Sequence, residues 1–299
     1  MLATLDLYGA ERAMAMDKRT FLQGIGSAVV AASVAKLTTL ESQQSGGARS
    51  AEETTFERIV RTGTIRCGYG IWRPGMSKDP ITGKLSGIFY DYVEAIGRHT
   101  GLKIEWVEEV GWGDFPAALN SRRIDAMCFG AWPKATTARE VLFTEPTYFL
   151  PINAYVRAGD TRFDDHIEKV NMPDIVISTM DSELSSQLAS ARFPEARTFS
   201  VSQLSDASVL LLNVASGKAD ITFTDAWTAA EFMAKNPDKI QPVKLQKPLR
   251  LYGHTIPVAM GEDDLVNLLN IATDEIMTSG EFDEIMSKYV SKPGILLME

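Results

Sequence analysis

The chain has 299 residues, more than one core of ordinary size holds, so two lobes or two domains are expected. Hydrophobic residues at 45% and charged residues at 23% are ordinary for a folded, water-soluble protein and exclude a long disordered one. A net charge of -9 without any dense Lys/Arg cluster excludes the electrostatic footprint of a nucleic-acid binder.

The first predicted element is a targeting segment. Residues 17–40, DKRTFLQGIGSAVVAASVAKLTTL, set Lys18 and Arg19 ahead of a weakly apolar run rich in Ala, Gly and Ser, and a polar linker follows. That is the order of an export signal. Its KRTFLQ core resembles a twin-arginine signal, with Lys18 where the first arginine stands. The alternative is a membrane anchor, for which the run is about long enough, but Lys36 and the small residues weigh against it. Met16 is a candidate start and cleavage is expected before Ala51. Residues 1–50 are therefore read as extension, signal and linker. The mature body is expected in the periplasm, with no stable membrane anchor after cleavage.

In the body, TFERIVRTG reads as a short amphipathic helix stopped by Gly63. TIRCGYGI reads as a strand and PGMSKDPITGKLSG as a hairpin-like loop. IFYDYVEAIGRHTG carries apolar residues at helical spacing, Ile88, Tyr92, Val93 and Ile96, and stops at Gly101. LKIEWVEEV alternates as a strand, GDFPAALNSRRI is a short helix, and DAMCFGAW is a strand. After the extended run FLPINAYVRAGD, a second unit alternates in the same way. Its strands are PDIVISTM, EARTFSV and ADITFTD; its helices are SELSSQLASARFP, SDASVLLLNVASGK and AWTAAEFMAKNP. TIPVAMGED and two helices split at Gly280 end the chain. Strands alternating with helices predict an α/β fold with mostly parallel sheets. Ligands bind such sheets at the carboxyl ends of strands, so the cleft between two lobes is the expected site.

The residues set limits on chemistry. Cys67 and Cys128 lie in strand-like runs and are expected as buried free thiols, with a disulfide open if those strands are neighbours. Those cysteines and His99, His166 and His254 lack zinc-ligand spacing, and no phosphate-binding Gly-rich loop occurs, so neither a metal nor another cofactor is expected. No Ser/His/Asp or Cys/His arrangement is visible in the sequence, and no catalytic residue is assigned.

Several blocks in order resemble the family 3 extracellular solute-binding proteins, periplasmic receptors of ABC importers. They are TIRCGYGIWRP, the stretch from GKLSGIFYDYVEAIG to EEVGW, FPAALNSRRIDAMCFG, VLFTEPTYF, ASGKADITFTDAWTAA and IMTSGEFDEIMSKY, together spanning roughly residues 56–292. The resemblance implies a type II two-lobe fold, each lobe a sheet flanked by helices, joined by two extended crossovers. Lobe 1 is expected over 51–154 and 249–299, lobe 2 over 155–248. It also implies hinge closure on a small solute and an ABC permease as partner.

It further implies site residues. Trp72 matches the aromatic platform after the first strand, and Asp225 matches the acid that takes an ammonium, or alternatively caps the following helix. The arginine that pairs with a carboxylate in the family falls here on Thr137, with Arg139 two residues on. Phe129 and Trp132 stand where the family has small hydroxyl residues. Asp181 and Glu183 flank Ser182 in what is elsewhere an anion-binding turn, Asp181 also being the expected helix cap and Glu183 helping the first turn. Tyr69 and Trp112 are further candidates to line the cleft, with Trp112 and Asp114 alternatively capping the next helix. Loss of the arginine and gain of aromatic faces beside acids point to a cation, an amine, quaternary ammonium or guanidinium. A dehydratase-like enzyme on the same fold and a ligand-sensing subunit of a membrane receptor are the alternatives.

Overall fold

The computed structural model describes residues 53–290. The expected extension, signal and linker over residues 1–50 lie outside them. Helix α1 (Thr55–Thr62) starts at Thr54, whose side chain and Glu57 cap one another's backbone N–H, and it ends at Gly63 in the left-handed conformation. Next come β1 (Thr64–Tyr69), the hairpin of β2 (Ser77–Lys78) and β3 (Leu85–Ser86), and α2 (Ile88–Thr100). Then follow β4 (Lys103–Glu109), α3 (Phe115–Asn120), β5 (Ala126–Met127) and β6 (Val141–Phe143). The chain then crosses to a second sheet through β7 (Phe149–Arg157), β8 (Val176–Met180), α4 (Leu184–Arg192), β9 (Arg197–Val201) and α5 (Ser208–Ala215). It continues through β10 (Ile221–Asp225), α6 (Ala226–Lys235), β11 (Ile240–Pro242) and β12 (Arg250–Gly253). It returns as β13 (Pro257–Ala259), α7 (Asp263–Thr278) and α8 (Glu281–Tyr289).

The first sheet runs β4-β1-β5-β13-β6 and the second β11-β7-β10-β8-β9, with β12 also on β7. The strands fed by helices are parallel: β1 with β4 and β5, β8 with β9 and β10. Antiparallel pairs occur where crossover strands join, β7 with β10, β11 and β12, and β13 with β5 and β6. Both β7 and β12 lie whole in the second sheet. The crossovers are therefore residues 144–148 and 254–256, so the expected boundary at 154 falls inside β7 and that at 248 just ahead of β12.

Each sheet buries its own core. In lobe 1, α2 turns Ile88, Tyr92, Val93 and Ile96 onto the sheet, and α7 and α8 add Leu265, Leu269, Ile276 and Phe282. In lobe 2, Ile152, Ile177, Ile221 and Phe223 meet Leu184, Leu188 and Phe193. Two tryptophans cross over. Trp132, from the turn after β5, packs in the second lobe's core, and Trp227, from α6, packs in the first lobe's. Cys67 of β1 and Cys128 after β5 are bonded, which corrects the expectation of free thiols: neighbouring parallel strands place their Cα atoms 5.5 Å apart. No helix among the described residues is long and apolar enough to cross a membrane.

Candidate functional site

The two crossovers run side by side. Thr147 N–H donates to His254 O and His254 N–H to Tyr148 O, both at 2.9 Å. This pairing stacks the Tyr148 and His254 rings, with centroids 4.5 Å apart. Tyr148 and His254 form the floor of the cleft, and both are fully buried.

Above that floor, each lobe contributes an indole. Trp72 follows β1 in a tight loop closed by Trp72 N–H to Met76 O (3.0 Å) and Met76 N–H to Trp72 O (2.6 Å). Its ring stacks on His254 at 5.2 Å and on Trp227 at 6.1 Å, and Trp227 meets Tyr148 at 5.8 Å. The four rings form a closed circuit contributed by lobe 1, lobe 2 and both crossovers. Trp227 Nε1 and Tyr148 Oη are buried in it with no hydrogen-bond partner among the described residues.

Asp225 ends β10 beside this circuit and is 1% exposed. The strand delivers it to the start of α6, where the first backbone N–H groups lack helical partners. Its Oδ1 accepts from the N–H of Trp227 and of Thr228, both at 2.9 Å. Its Oδ2 accepts from Thr228 Oγ1 at 2.7 Å and, across the cleft, from Trp72 Nε1 at 3.1 Å. Asp225 is thus helix cap and interlobe contact at once. Every one of these donors is neutral. Burial raises its carboxyl above the usual range, against the pull of the Thr228, Trp72 and Trp227 donors.

Glu183 lies on the same side of lobe 2. It is buried and accepts from Ser185 N–H (2.7 Å) and Ser185 Oγ (2.6 Å). Burial pushes its carboxyl up to about 7, overriding the Ser185 and Leu184 donors, and the Asp225 charge adds to the rise. Glu183 caps α4, which corrects the expected cap at Asp181. Ser182 adopts a left-handed φ of 61°, so the helix begins one turn position later. Asp181 is exposed and takes a hydrogen bond from Ser200 Oγ on β9, away from the rings.

His254, for which the sequence shows only that zinc-ligand spacing is lacking, lies in the ring circuit. Trp132 Nε1 can only donate, so at 3.2 Å it fixes His254 Nε2 as acceptor. Nδ1–H then donates to Gly130 O at 3.0 Å. Gly130 has φ +87°, and a Cβ there would meet Phe89 at 2.2 Å, so only glycine brings that carbonyl to the ring. Burial drives the His254 pKa down to about 3, and the imidazole is neutral.

At the other end of the cleft, Trp132 is stacked between Trp112 (5.5 Å) and Tyr252 (5.3 Å), and Phe129 meets Trp112 edge-on at 4.5 Å. Trp112 and Tyr252 border an open groove of about 650 Å³ between the lobes, together with Lys134, Thr137, Ser182 and Arg250. Lys134 Nζ donates to Ser182 O at 3.3 Å and Arg250 lies over the Tyr252 ring at 4.6 Å. Burial lowers the Lys134 pKa, with Glu183 opposing. Gln203 of lobe 2 latches this end: its Oε1 accepts from Gly113 N–H (2.8 Å) and its Nε2 donates to Asp114 (2.7 Å). Asp114 therefore bonds across the cleft, and its side chain does not cap α3.

The structure brings together Trp72, Asp225, Trp132, Phe129, Trp112 and Glu183 along the cleft. It does not bring in Tyr69, which is buried in lobe 1's own core with its ring against Trp106 and its hydroxyl accepting from Lys78. Arg139 is exposed and stays outside the groove that Thr137 lines. The sequence reading passed over Trp227, Thr228 and Lys134; an aromatic and a hydroxyl directly after a strand-end acid were the available signal for the first two.

Residues 65–292 match the bacterial extracellular solute-binding proteins, family 3. The chain belongs to that family. A probable histidine-binding protein of Campylobacter jejuni is 25% identical over 69% of this solute-binding protein and 77% of its own length. The L-arginine-binding protein of Pseudomonas aeruginosa is 24% identical over 76% and 88% respectively. Among solved structures, an ancestral amino-acid-binding protein, a precursor of cyclohexadienyl dehydratase, superposes with a TM-score of 0.69 at 23% identity, covering 79% of this chain and 99% of its own. The fold is the two-lobe type II architecture, and the function is binding of a small solute outside the cytoplasm.

Proposed function

We propose that this protein captures a small cationic, amine-bearing solute between its lobes and hands it to the permease of an ABC importer. The observation that carries the reading is Asp225: a buried carboxylate at the lobe junction whose donors are all neutral, set beside aromatic rings. A buried charge of this kind is stabilised by a counter-charge, and rings around it favour a desolvated cation by about 0.5–2 kcal/mol each. Glu183 adds a second carboxylate with neutral donors. The relatives named for histidine and arginine agree with an amine or guanidinium. The solute needs no carboxylate contact of the usual kind, because Thr137 holds the arginine's place and Lys134 and Arg250 are engaged by Ser182 and Tyr252.

Calorimetry with arginine, histidine, lysine, agmatine and choline, against neutral and anionic solutes, tests this. Cations are expected to bind, with agmatine within tenfold of arginine. Binding of carboxylates alone, or loss of cationic and neutral solutes by the same factor in Asp225→Asn, would sink the reading. A second reading, a dehydratase-like enzyme, is favoured by one observation, the Glu183 carboxyl at about 7, which suits a general acid. Turnover of a cyclohexadienyl carboxylate, abolished in Glu183→Gln, would establish it.

A further inference from the structure

The Trp72 indole does more than offer a platform. Its N–H is shared between Asp225 Oδ2 at 3.1 Å and Thr228 Oγ1 at 3.2 Å, the two atoms an incoming ammonium would seek. The ring stacks on both His254 and Trp227. Its own loop closes over it: a Cβ on Gly75 would lie 2.3 Å from the ring. The indole is 3% exposed and has no room to swing aside while the lobes meet. It leaves Asp225 only when lobe 1 withdraws.

We infer that Trp72 is an internal competitor for Asp225 that sets an affinity threshold, one that a cationic donor clears and a neutral donor does not. This rests on the cation reading above and deepens it. A solute carrying a neutral N–H or O–H would replace one neutral hydrogen bond with another, which yields little net free energy. A cationic donor gains a charge-assisted bond to a buried carboxylate, which the indole cannot match. Without the indole donor, the empty cleft would lose one neutral hydrogen bond, and neutral and cationic donors would both bind more tightly by the same factor. A second observation marks the same place as one a solute enters. Trp227 Nε1 and Tyr148 Oη, both in the ring circuit, have no partner among the described residues, and each is more than nine-tenths buried. Tyr148 also feels the Asp225 charge. With Trp72 withdrawn, these two atoms and Asp225 border one space, offering a donor, a donor-acceptor and an anion to the solute.

The test compares Trp72→Phe, which keeps a ring and removes the N–H, with wild type. The probes are arginine, citrulline (a neutral ureido group for the guanidinium) and argininic acid (a hydroxyl for the ammonium). Wild type is expected to prefer arginine over at least one analogue, which identifies the group that meets Asp225. In Trp72→Phe arginine and the neutral analogue are both expected to gain about fivefold while the preference between them stays, because the lost hydrogen bond belongs to the empty cleft. An independent measurement needs no variant: in ¹⁵N-labelled wild type the Trp72 indole resonance moves to a position free of the Asp225 bond as arginine is added. Affinities for arginine and the neutral analogue that fail to rise in Trp72→Phe, or an indole signal that stays fixed at saturation, overturn the competition and leave the cation reading standing. Wild type that binds none of the three overturns both.

Discussion

At one end of the cleft a carboxylate is closed in by four neutral donors and stacked rings. At the other, about 650 Å³ of groove opens between Lys134 and Arg250. The same two lobes make both ends, from strand termini of the same kind. The difference lies in which side chains cross. At the Asp225 end, Trp72 reaches over and its N–H finds an acceptor, so the contact is dry. At the Lys134 end, the crossing groups are an ammonium, an amide and a carboxylate, and a groove stays open beside them. A buried acid with neutral partners is primed for a charge, whereas the groups crossing at the other end already hold polar partners. The acid end is therefore expected to decide what binds, and the basic end to govern how the lobes meet.

The largest expected effect tests whether the exchanged tryptophans are shared core or detachable contacts. Trp132→Ala should cost about 3–5 kcal/mol in denaturant unfolding, because the ring is packed in the second lobe's core. A loss below about 1 kcal/mol would show that the lobes stand without it. Next, the two ends can be set against one another directly. Asp225→Asn should weaken arginine about 100-fold, about 3 kcal/mol, while Arg250→Ala changes it less than threefold; equal losses in calorimetry would erase the contrast.

A pH series sharpens the acid end. The Glu183 carboxyl titrates at about 7 in the fold and near its ordinary 4.5 when unfolded. The unfolded chain thus releases its proton first, and the stability this group contributes is full below pH 4.5 and lost as pH rises through 7. That loss is about 3 kcal/mol by linkage, and Glu183→Gln should flatten the slope between pH 5 and 7 in thermal melts. A slope unchanged in the variant would assign it elsewhere. His254 acts in the opposite sense: neutral in the fold to about pH 3, it contributes stability above 6.5 that is lost as pH falls. The smallest effect belongs to the latch. Gln203→Ala should change stability by about 1 kcal/mol or less and enlarge the radius of gyration seen by small-angle scattering.

Much of this was legible in the sequence. The alternation of strands and helices gave both sheets, and Asp225 showed its double nature because a strand-end acid before a helix can cap and still face a cleft. Trp72 and Trp132 were found through the resemblance to the family's blocks, which placed the one on the aromatic platform and the other in the turn of small hydroxyl residues. What stayed hidden was set by partners distant in the chain. His254 became a floor residue only because the second crossover lies against the first, and its tautomer depends on Trp132, 122 residues away. Asp181 was the expected cap, with Glu183 in the first turn; the left-handed turn at Ser182 moves the cap to Glu183. Tyr69 sits at a strand end as Trp72 nearly does, but its ring packs into lobe 1's own core against Trp106.

The bond between Cys67 and Cys128 has a consequence for how this protein matures. It ties the strand leading into the Trp72 loop to the turn leading into Trp132, and both cysteines are at most 2% exposed. A chain that packed lobe 1 first, in a reducing compartment, would seal two thiols where no oxidant reaches them. Oxidation must then come before or during collapse of the lobe. The place where the chain meets its oxidant is thereby tied to the place where it folds, and the order of secretion, bond closure and packing becomes part of what the sequence encodes.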